Sequence, residues 1–471
     1  MNHYHFLDSK RKDPRKALAE ERVKNFKEIY SAFNETESKD QAARCIDCGI
    51  PYCKWSCPVV NHIPEWLKLV AKGDIIKAAE LSNETNSLPE ICGRVCPQDR
   101  LCEGACTLNA EYGAVSIGNI EKYISDTAFS LGWEPKKATK WHLDKLVSII
   151  GAGPAGLAAA DYLSRSGIPV KVYDRYAEIG GLLSYGIPNF KLEKEIVLRR
   201  RKILEKQGVE FILNTEVDKN LFSEIYENSS AVFLALGTYK ARSTDFDLKS
   251  SKNIFLALDY LISRIEMSFD FKAGKTRSEI QEKLLDKDVV ILGGGDTAMD
   301  CARTALRDGA KSVKCLYRRD LANIPGSRRE IENAIEEGLE FIWNTQVTGI
   351  ENNAEKLILS TVETELQIGT SKRMIPVNKI GSEKTLACDY VIVAYGFNPS
   401  PADWFTDFGI QTDASGKVLV SKDKETQFQT ANPKIFAGGD MVRGSDLVVT
   451  AIYEGRNAAE AIKRKLLTIY L

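Results

Sequence analysis

The stretch that decides the fold of this chain is Leu146-Val-Ser-Ile-Ile-Gly-Ala-Gly-Pro-Ala-Gly156. Its short apolar run, closed by a glycine, is typical of a buried parallel strand. A helix of small residues should follow to about Ser166, and Val170-Lys-Val-Tyr-Asp174 has the composition of the next strand. The order strand, helix, strand predicts a βαβ unit with a tight glycine turn after its first strand.

The glycines of this turn have the Gly-x-Gly-x-x-Gly spacing of a dinucleotide-binding loop. Gly151 makes the turn, Gly153 leaves room for a pyrophosphate, and Gly156 packs the helix against the strand. The helix N-terminus attracts the phosphate charge, and Asp174 lies where an acid can bind ribose hydroxyls. Because a strand and a helix flank the loop, we interpret it as a nucleotide site.

The same pattern restarts later in the chain. Asp288-Val-Val-Ile-Leu292 predicts a strand, Gly293-Gly-Gly-Asp-Thr-Ala298 a second loop, and residues 312–317 the next strand. This strand ends at Arg318-Arg319 rather than at an acid, and arginine accommodates the 2′-phosphate of NADP. Arg328 and Arg329 could add charge nearby. The alternative is an exposed basic loop that binds nothing.

A last strand and helix, at Lys434-Ile-Phe-Ala-Gly-Gly-Asp440 and residues 447–467, follow the second unit. Because the first unit has few strands without them, we infer that the second unit, closed by residues 390–396, is inserted into the first. Asp440 could hydrogen-bond a ribityl hydroxyl, and the helix N-terminus could stabilise negative charge on a reduced flavin. Residues 357–362 alternate weakly and predict a hairpin arm.

Two groups of cysteines precede both loops, in a region whose apolar spacing predicts helices. Eight of the eleven cysteines lie in Cys45-Ile-Asp-Cys-Gly-Ile-Pro-Tyr-Cys-Lys-Trp-Ser-Cys-Pro58 and Cys92-Gly-Arg-Val-Cys-Pro-Gln-Asp-Arg-Leu-Cys-Glu-Gly-Ala-Cys106. Thiolates are soft ligands, and Cys-Pro endings are typical of bacterial ferredoxins, so the pattern favours two 4Fe–4S clusters. Zinc sites and disulfides are the alternatives. The isolated Cys301, Cys315 and Cys388 should pack in the core.

Composition narrows the function further. The chain has 471 residues, 44% of them apolar and 27% charged, with a net charge of −1. This balance gives no drive to bind nucleic acid or an anionic membrane surface, so we expect neither. The polar N-terminus has no secretory signal, and we expect the protein in the cytoplasm.

The motifs together resemble a known family over essentially the whole length: the small (β) subunit of bacterial NADPH-dependent glutamate synthase. The same module occurs in dihydropyrimidine dehydrogenase. Besides the two cysteine motifs, the most specific segments are Gly180-Gly-Leu-Leu-Ser-Tyr-Gly-Ile-Pro-Asn-Phe-Lys-Leu-Glu-Lys194, Pro325-Gly-Ser-Arg-Arg-Glu330 and Ala437-Gly-Gly-Asp-Met-Val-Arg-Gly-Ser-Asp-Leu-Val-Val-Thr450.

The resemblance implies an α/β fold: a helical iron–sulfur domain followed by two Rossmann-like nucleotide-binding domains, the NADPH domain being inserted in the FAD domain. We place the iron–sulfur domain at residues 1–140, the FAD domain at 141–245 and 397–471, and the NADPH domain at 246–396.

The resemblance also implies the cofactor-binding residues. Those for FAD would be Gly151, Ala152, Gly153, Pro154, Ala155, Gly156, Asp174, Arg175, Gly181, Leu182, Lys191, Val217, Gly439, Asp440, Leu447 and Val448. Those for NADPH would be Gly293, Gly294, Gly295, Asp296, Thr297, Ala298, Arg318, Arg319, Arg328, Ala394, Tyr395 and Gly396.

For the clusters, the resemblance implies a pairing that crosses the two motifs. One cluster would be held by Cys45, Cys48, Cys53 and Cys106, and the other by Cys57, Cys96 and Cys102. Dihydropyrimidine dehydrogenase has a glutamine as the fourth ligand of the second cluster, shortly after the last cysteine. Glu121 matches that place here and is our hypothesis for this ligand, with Cys92 as the rival.

The implied activity is hydride transfer from NADPH to FAD, followed by single-electron transfer through the two clusters to a large subunit that reduces 2-iminoglutarate to L-glutamate. Hydride transfer depends on orientation more than on acid–base groups, so we predict no catalytic acid or base. One alternative is a stand-alone NADPH oxidoreductase with a ferredoxin-type acceptor. The other is a zinc-binding interaction subunit with vestigial nucleotide sites.

Overall fold

The structure is a computed structural model that describes residues 2–244, 246–247, 251–270, 283–353, 355–368 and 374–467, excluding the side chains of 266–270. The domain boundary predicted at residue 245 lies outside the described residues. The other predicted boundaries stay predictions.

The front of the chain is helical. Its helices span His5–Asp8, Ala19–Arg22, Glu35–Ala43, Tyr52–Trp55, Ile63–Lys72, Ile75–Thr85, Pro89–Val95 and Ile117–Ser130, with a 3-10 turn at Gln98–Arg100. Gly73, at φ +84°, ends one helix in the left-handed conformation, and the side chain of Asp74 caps the next. Trp66, Leu67 and Ile120 are buried in the shared core of these helices. The apolar spacing of the sequence is therefore realised as a small helical domain.

A five-stranded parallel sheet forms the centre of the first nucleotide unit. Its strands are β1 (Val147–Ile150), β2 (Val170–Tyr173), β3 (Val209–Ile212), β4 (Ala231–Leu234) and β16 (Ile435–Ala437), in the order β16-β4-β1-β2-β3. The accompanying helices are Pro154–Arg165, Leu182–Tyr185, Lys194–Lys206, Lys219–Asn228, Asp440–Arg443 and Val448–Leu466. Every residue of β1 is buried because helices cover both faces of the sheet. The last strand joins this sheet, which confirms the predicted insertion.

The inserted unit repeats the arrangement. Its parallel strands are β6 (Ile254–Leu256), β7 (Asp288–Leu292), β8 (Ser312–Leu316), β9 (Glu340–Ile342) and β14 (Tyr390–Val393), in the order β6-β14-β7-β8-β9. Helices Ala257–Asp270, Asp296–Arg307 and Arg328–Glu336 and the 3-10 turn Leu321–Asn323 accompany them. In both units the strand before the glycine loop is central, so both loops open at the carboxyl edge of a sheet.

Smaller β elements complete the molecule. Strands β10 (Thr345–Asn352), β11 (Leu357–Ile368), β12 (Met374–Asn378) and β13 (Lys384–Cys388) form an antiparallel sheet in which both β10 and β13 pair with β11. The hairpin predicted for residues 357–362 is therefore present. A short antiparallel pair joins β5 (Lys240–Ala241) to β15 (Phe397–Asn398) between the two units, and a 3-10 turn spans Thr406–Phe408.

Helix Lys194–Lys206 contributes a buried arginine to a domain interface. The run of arginines at residues 199–201 suggests a solvated helix face, but Arg200 is fully buried. Its Nε and Nη2 each donate to a carboxylate oxygen of the buried Glu90 at 2.7 Å. The burial of this bidentate pair fixes the helical domain against the first nucleotide unit, since either charge alone would be costly in that position.

A second ionic group fixes the helical domain against the inserted unit. The carboxylate of Glu337 is buried and accepts hydrogen bonds from Arg303, Arg307 and, across the domain interface, Arg22 at 2.7 Å. Burial opposes its ionisation, but the hydrogen bonds from Arg307 and Arg303 dominate and lower the pKa of Glu337 to about 2. The helical domain therefore docks against each of the two nucleotide units through a buried group of opposite charges. In the second group Glu337 stays ionised.

Candidate functional site

The four cysteines predicted to share the first cluster lie together, and we call them the outer cysteine site: Cys45, Cys48, Cys53 and Cys106. Burial raises the pKa of Cys45 to about 11 and that of Cys53 to about 12, with contributions from the other thiols of the group. The thiol of Cys48, which is half-buried, contacts the carbonyl of Ile50 at 3.5 Å and the hydroxyl of Thr107 at 3.7 Å. The site therefore lies close to the protein surface.

A second group, which we call the inner cysteine site, lines a cavity beside the first. It comprises Cys57, Cys92, Cys96, Cys102 and Glu121. Burial raises the pKa of Cys57 to about 12 and that of Cys102 well above its usual value. Glu121 and Cys53 are among the groups that raise the pKa of Cys102 further, so the two cysteine sites are neighbours. Such thiols ionise readily only when a metal replaces the proton.

Glu121 is held in the inner site by two amides. Its Oε1 accepts from Nδ2 of Asn61 at 3.3 Å and from Nδ2 of Asn86 at 3.2 Å. Burial raises the pKa of Glu121 to about 8, although the bond from Asn86 opposes this. The thiol of Cys92 donates to Oδ1 of the same Asn86 at 3.8 Å. The structure thus brings both candidates for the fourth ligand to one cavity, with the carboxylate oriented by two donors.

The donors of the two sites are cysteine thiols and the carboxylate of Glu121. Among the described residues, no group of three or more His, Cys, Asp or Glu side chains is arranged to hold a single metal ion. Thiolates are the ligands that hold 4Fe–4S clusters in proteins. The donor set of each site therefore fits such a cluster in its chemistry.

The remaining cysteines lie away from both sites. Cys301, Cys315 and Cys388 are fully buried among apolar side chains of the inserted unit, as the sequence predicts. They form part of its core packing.

The first glycine loop is built as its spacing predicts. Gly151 has φ +106°, and a Cβ there would lie 2.3 Å from the carbonyl oxygen of Ala235. A Cβ on Gly156 would lie 1.9 Å from the carbonyl oxygen of Gly151, whereas one on Gly153 would meet nothing within 4 Å. The space in front of Gly153, at the N-terminus of helix Pro154–Arg165, is thus left open for a phosphate group.

Asp174 lies at the end of β2 and reaches this loop. Its carboxylate accepts from the backbone N–H of Ala152 at 2.7 Å and from that of Tyr176 at 2.9 Å, and burial raises its pKa. The adjacent Arg175 stacks on the rings of Tyr176 and Tyr239, at 5.0 and 4.4 Å from their centroids. Gly181 packs closely against the loop, since a Cβ added to Gly181 would lie 3.0 Å from the Cα of Gly153.

The other residues predicted to bind FAD lie in several parts of the structure. Ala152, Pro154 and Ala155 belong to the loop itself, and Leu447 and Val448 begin the last helix. Gly439 donates its N–H to Glu454 at 2.7 Å, and burial raises the pKa of the neighbouring Asp440 to about 7.

Three further residues predicted for FAD contact other parts of the protein. Leu182 packs partly against the core of the inserted unit and Val217 against that of the first. Lys191 points elsewhere: its Nζ pairs with Asp300 at 2.8 Å and Glu330 at 3.7 Å in the inserted unit.

Two residues at this site, Tyr239 and Glu454, are not predicted from the sequence. Tyr239 follows the carboxyl end of β4, and its hydroxyl is 3.6 Å from the Cβ position of Gly181. Its place beyond the end of a parallel strand was a usable signal, since ligands bind at that edge. Glu454 is buried in the last helix and holds both Gly439 and Arg443, and no local pattern predicts that contact.

The second glycine loop has the same backbone. Gly293 has φ +131°, and a Cβ there would lie 2.4 Å from the carbonyl oxygen of Ala394, while Gly295 has nothing within 4 Å. Gly294 lies against the ring of Tyr317, and Asp296, Thr297 and Ala298 begin helix Asp296–Arg307. Tyr395 and Gly396 follow at the end of β14, beside the loop.

The basic residues predicted for the 2′-phosphate surround this edge. Arg318 is exposed and Arg319 half-buried after β8, and Arg328 is exposed at the start of its helix. Arg329 is instead folded over the ring of Tyr30, 3.8 Å from its centroid. Within the described part of the chain neither Arg318 nor Arg328 pairs with a carboxylate, so both can offer positive charge to a ligand.

Comparisons with known proteins agree with this architecture. Residues 22–133 match the family model described as dihydropyrimidine dehydrogenase domain II, 4Fe-4S cluster, and residues 145–455 match the pyridine nucleotide-disulphide oxidoreductase family. FprA, a Mycobacterium tuberculosis oxidoreductase, has a similar fold with a TM-score of 0.55 at 17% identity, covering 68% of this chain and 84% of that one. The chain is thus a pyridine-nucleotide oxidoreductase with an added iron–sulfur domain.

Similarity to whole proteins is closer still. The glutamate synthase (NADPH) small chain of Escherichia coli K12 is 51% identical over 466 residues, covering 98% of both chains. The putative oxidoreductase AegA of the same organism is 47% identical over 457 residues, covering 96% of this chain and 69% of AegA. The chain belongs to the glutamate synthase (NADPH) small chain family, which confirms the resemblance and the NADPH-dependent oxidoreductase activity predicted from the sequence. The iron–sulfur prediction is confirmed with it, and the zinc-binding alternative is not supported.

Proposed function

We propose that the chain is the electron-input subunit of a glutamate synthase. It oxidises NADPH and delivers electrons to a large subunit, which reduces 2-iminoglutarate to L-glutamate. The observation that carries this proposal is that the predicted flavin site, the inner cysteine site and the outer cysteine site adjoin one another in this order. Val449, in the first turn of the helix that begins at the predicted flavin contact Val448, lines the inner cysteine site, and the outer site lies beside it toward the surface.

When bound, FAD would supply a hydride acceptor that can release electrons singly, and each 4Fe–4S cluster would supply one-electron transfer. The first unit supplies the residues that would orient the flavin. Gly153 leaves room for the pyrophosphate, and Asp174 stiffens the loop by accepting a hydrogen bond from the N–H of Ala152. Asp174 would also bind the ribose. Asp440 would contact the ribityl chain. Orientation by these groups is the contribution that hydride transfer requires of the protein.

The inserted unit would hold NADPH. The open space at Gly295 fits the pyrophosphate, and the exposed Arg318 provides the charge for a 2′-phosphate. Arg319 and Arg328 extend the basic edge. Ala394, Tyr395 and Gly396 follow β14, next to the carboxyl end of the central strand β7, where the nicotinamide half would enter.

The outer cysteine site would hold one cluster with four thiolates. The inner site would hold the other with Cys57, Cys96 and Cys102, and Glu121 as the fourth ligand. The two amide donors on Glu121 support the carboxylate, because they fix one oxygen and leave the other for the metal. Cys92 would then act as a neighbouring thiol.

The fourth ligand can be tested directly. Glu121→Ala should change the EPR spectrum of one reduced cluster and lower the iron content, whereas Cys92→Ala should leave both unchanged. Cys388→Ala, which alters a buried cysteine outside both sites, is the matched control. The reverse pattern, with Cys92→Ala removing a signal, would assign the ligand to the thiol.

The large subunit is the proposed partner, and the chain's relatives are named as small chains. The surface around the outer site supports such a contact, because Ile50, Tyr52 and Trp55 are more than half exposed there. No helix in the described part of the chain has the length and apolar character needed to cross a bilayer. We further propose that the protein works in the cytoplasm, where its thiols stay reduced.

A second candidate is a stand-alone NADPH oxidoreductase that reduces a ferredoxin-type acceptor. The 47% identity to AegA, which is named as an oxidoreductase and not as a glutamate synthase chain, favours this second candidate. Co-purification with a large glutamate synthase subunit supports the first proposal, and transfer of electrons to ferredoxin without any such subunit supports the second.

An anaerobic titration with NADPH tests both candidates at once. The flavin absorbance should bleach, and EPR signals of reduced 4Fe–4S clusters should follow. Purified protein that contains iron and acid-labile sulfide but whose flavin is not reduced by NADPH would contradict the proposed activity.

A further inference from the structure

One arginine of the iron–sulfur domain lies at the mouth of the second nucleotide loop. Arg100 ends the 3-10 turn Gln98–Arg100, in the short loop between Cys96 and Cys102. Its Nη1 donates to the carbonyl of Pro325 at 3.0 Å, and its Nη2 is 3.8 Å from Oδ2 of Asp296. Nearly half of its side chain, 45%, stays exposed. The guanidinium is thus tethered beside the loop and still open to a ligand.

The loop needs such a cation. Asp296 places a carboxylate in the first turn of helix Asp296–Arg307, next to the open space at Gly295. Its other oxygen, Oδ1, accepts from the N–H of Ser327 at 2.8 Å, so the side chain is held in place. A fixed negative charge would repel a pyrophosphate that binds at the helix N-terminus.

The first loop has no such requirement. Its residue at the position of Asp296 is Pro154, which carries no charge. The contrast between the two loops indicates that Arg100 offsets a charge that only the second loop has.

We propose that Arg100 completes the NADPH site from the neighbouring domain: it neutralises Asp296 and contacts the pyrophosphate of the bound nucleotide. The same residue then links the cysteine loop of the inner site to the nucleotide. This inference rests on the proposed binding of NADPH to the second loop.

The test uses the holoenzyme and the oxidised nucleotides NADP⁺ and NAD⁺, measured by calorimetry so that no turnover occurs. Arg100→Ala should weaken both nucleotides by about the same factor, roughly tenfold, because both carry the pyrophosphate. Arg100→Lys should recover part of the loss by keeping the charge. Loss of NADP⁺ binding alone would place Arg100 at the 2′-phosphate and overturn the proposal.

Lys16→Ala is the matched control for a general effect on domain docking. Lys16 also belongs to the helical domain and forms a partly exposed ion pair with Glu336 of the inserted unit, away from the loop. It should leave both affinities unchanged. Equal weakening by Lys16→Ala and Arg100→Ala, or wild-type binding by Arg100→Ala, would overturn the proposal. If the wild-type holoenzyme itself binds neither nucleotide, the proposed function fails instead.

Discussion

The two nucleotide-binding units share a backbone and differ in the side chains that face the ligand. Both place a glycine loop after the central strand of a five-stranded parallel sheet. The third loop position is Gly156 in the first unit and Ala298 in the second, and the second strand is followed by the buried Asp174 in one and the exposed Arg318 in the other. The comparison supports the proposal that the backbone sets the phosphate position, whereas a few side chains set which nucleotide is bound.

The largest effect is expected at the third loop position. Gly156→Ala would place a Cβ 1.9 Å from a backbone oxygen that cannot move without opening the loop. We expect it to lower the free energy of unfolding by about 4 kcal/mol or more and to abolish flavin binding.

The matched change in the second unit is Ala298→Gly, which should cost only about 1 kcal/mol of helix stability. Urea unfolding and the flavin-to-protein ratio of purified protein measure both variants. A Gly156→Ala protein with a full flavin complement would break the comparison.

The next effect concerns pH. Burial raises the pKa of Asp440, in the first unit, from 3.8 to about 7. Between about pH 4 and 7 the folded state therefore keeps a proton that the unfolded state has released, so rising pH lowers the free energy of unfolding across this window. The contribution is at most about 4 kcal/mol.

Asp440→Asn should remove this pH dependence. The measurement is urea unfolding of flavin-depleted wild-type and variant protein at pH 5 and pH 7.5. An identical slope in both proteins would show that another group is responsible.

The charge at the end of the second strand should decide coenzyme choice. Replacing both Arg318 and Arg319 by alanine should weaken NADPH by about 3 kcal/mol, roughly a hundredfold, and NADH far less, because only NADPH carries the 2′-phosphate. Steady-state KM values and calorimetric affinities for both coenzymes test this. Equal losses would refute the 2′-phosphate role.

The smallest effect is expected at the corresponding acid. Asp174→Asn keeps one acceptor for the N–H of Ala152 but loses the charge and one of the two accepted bonds. FAD affinity should fall about tenfold, or roughly 1.4 kcal/mol. Fluorescence titration of the depleted protein with FAD measures it, and NADPH affinity serves as the internal control, since it should not change.

Much of the fold follows from local sequence patterns. The glycine loops, the buried strands beside them and the hairpin at β11 depend on steric limits and side-chain alternation within a few residues. The same holds for the helical front of the chain. Such features are readable because each is decided by neighbours in sequence.

The partners of the charged residues do not follow from such patterns. Arg200 looks like part of a solvated helix face, yet it pairs with Glu90, which lies 110 residues away in sequence. No local pattern predicts that Lys191 pairs with Asp300 of the other unit, and its contact with FAD stays a prediction. Nothing in the cysteine motif indicates a role for Arg100, and only the tertiary structure shows its contact with Pro325 beside the second loop.

The sequence by itself determined the two Rossmann-like units, the insertion of one into the other and the presence of iron-binding cysteines, because steric and ligand chemistry act at short range along the chain. Only the tertiary structure decided how the domains dock and which carboxylate each arginine meets. The reason is physical: an ion pair depends on which surfaces are buried together, and that is fixed by the packing of whole domains.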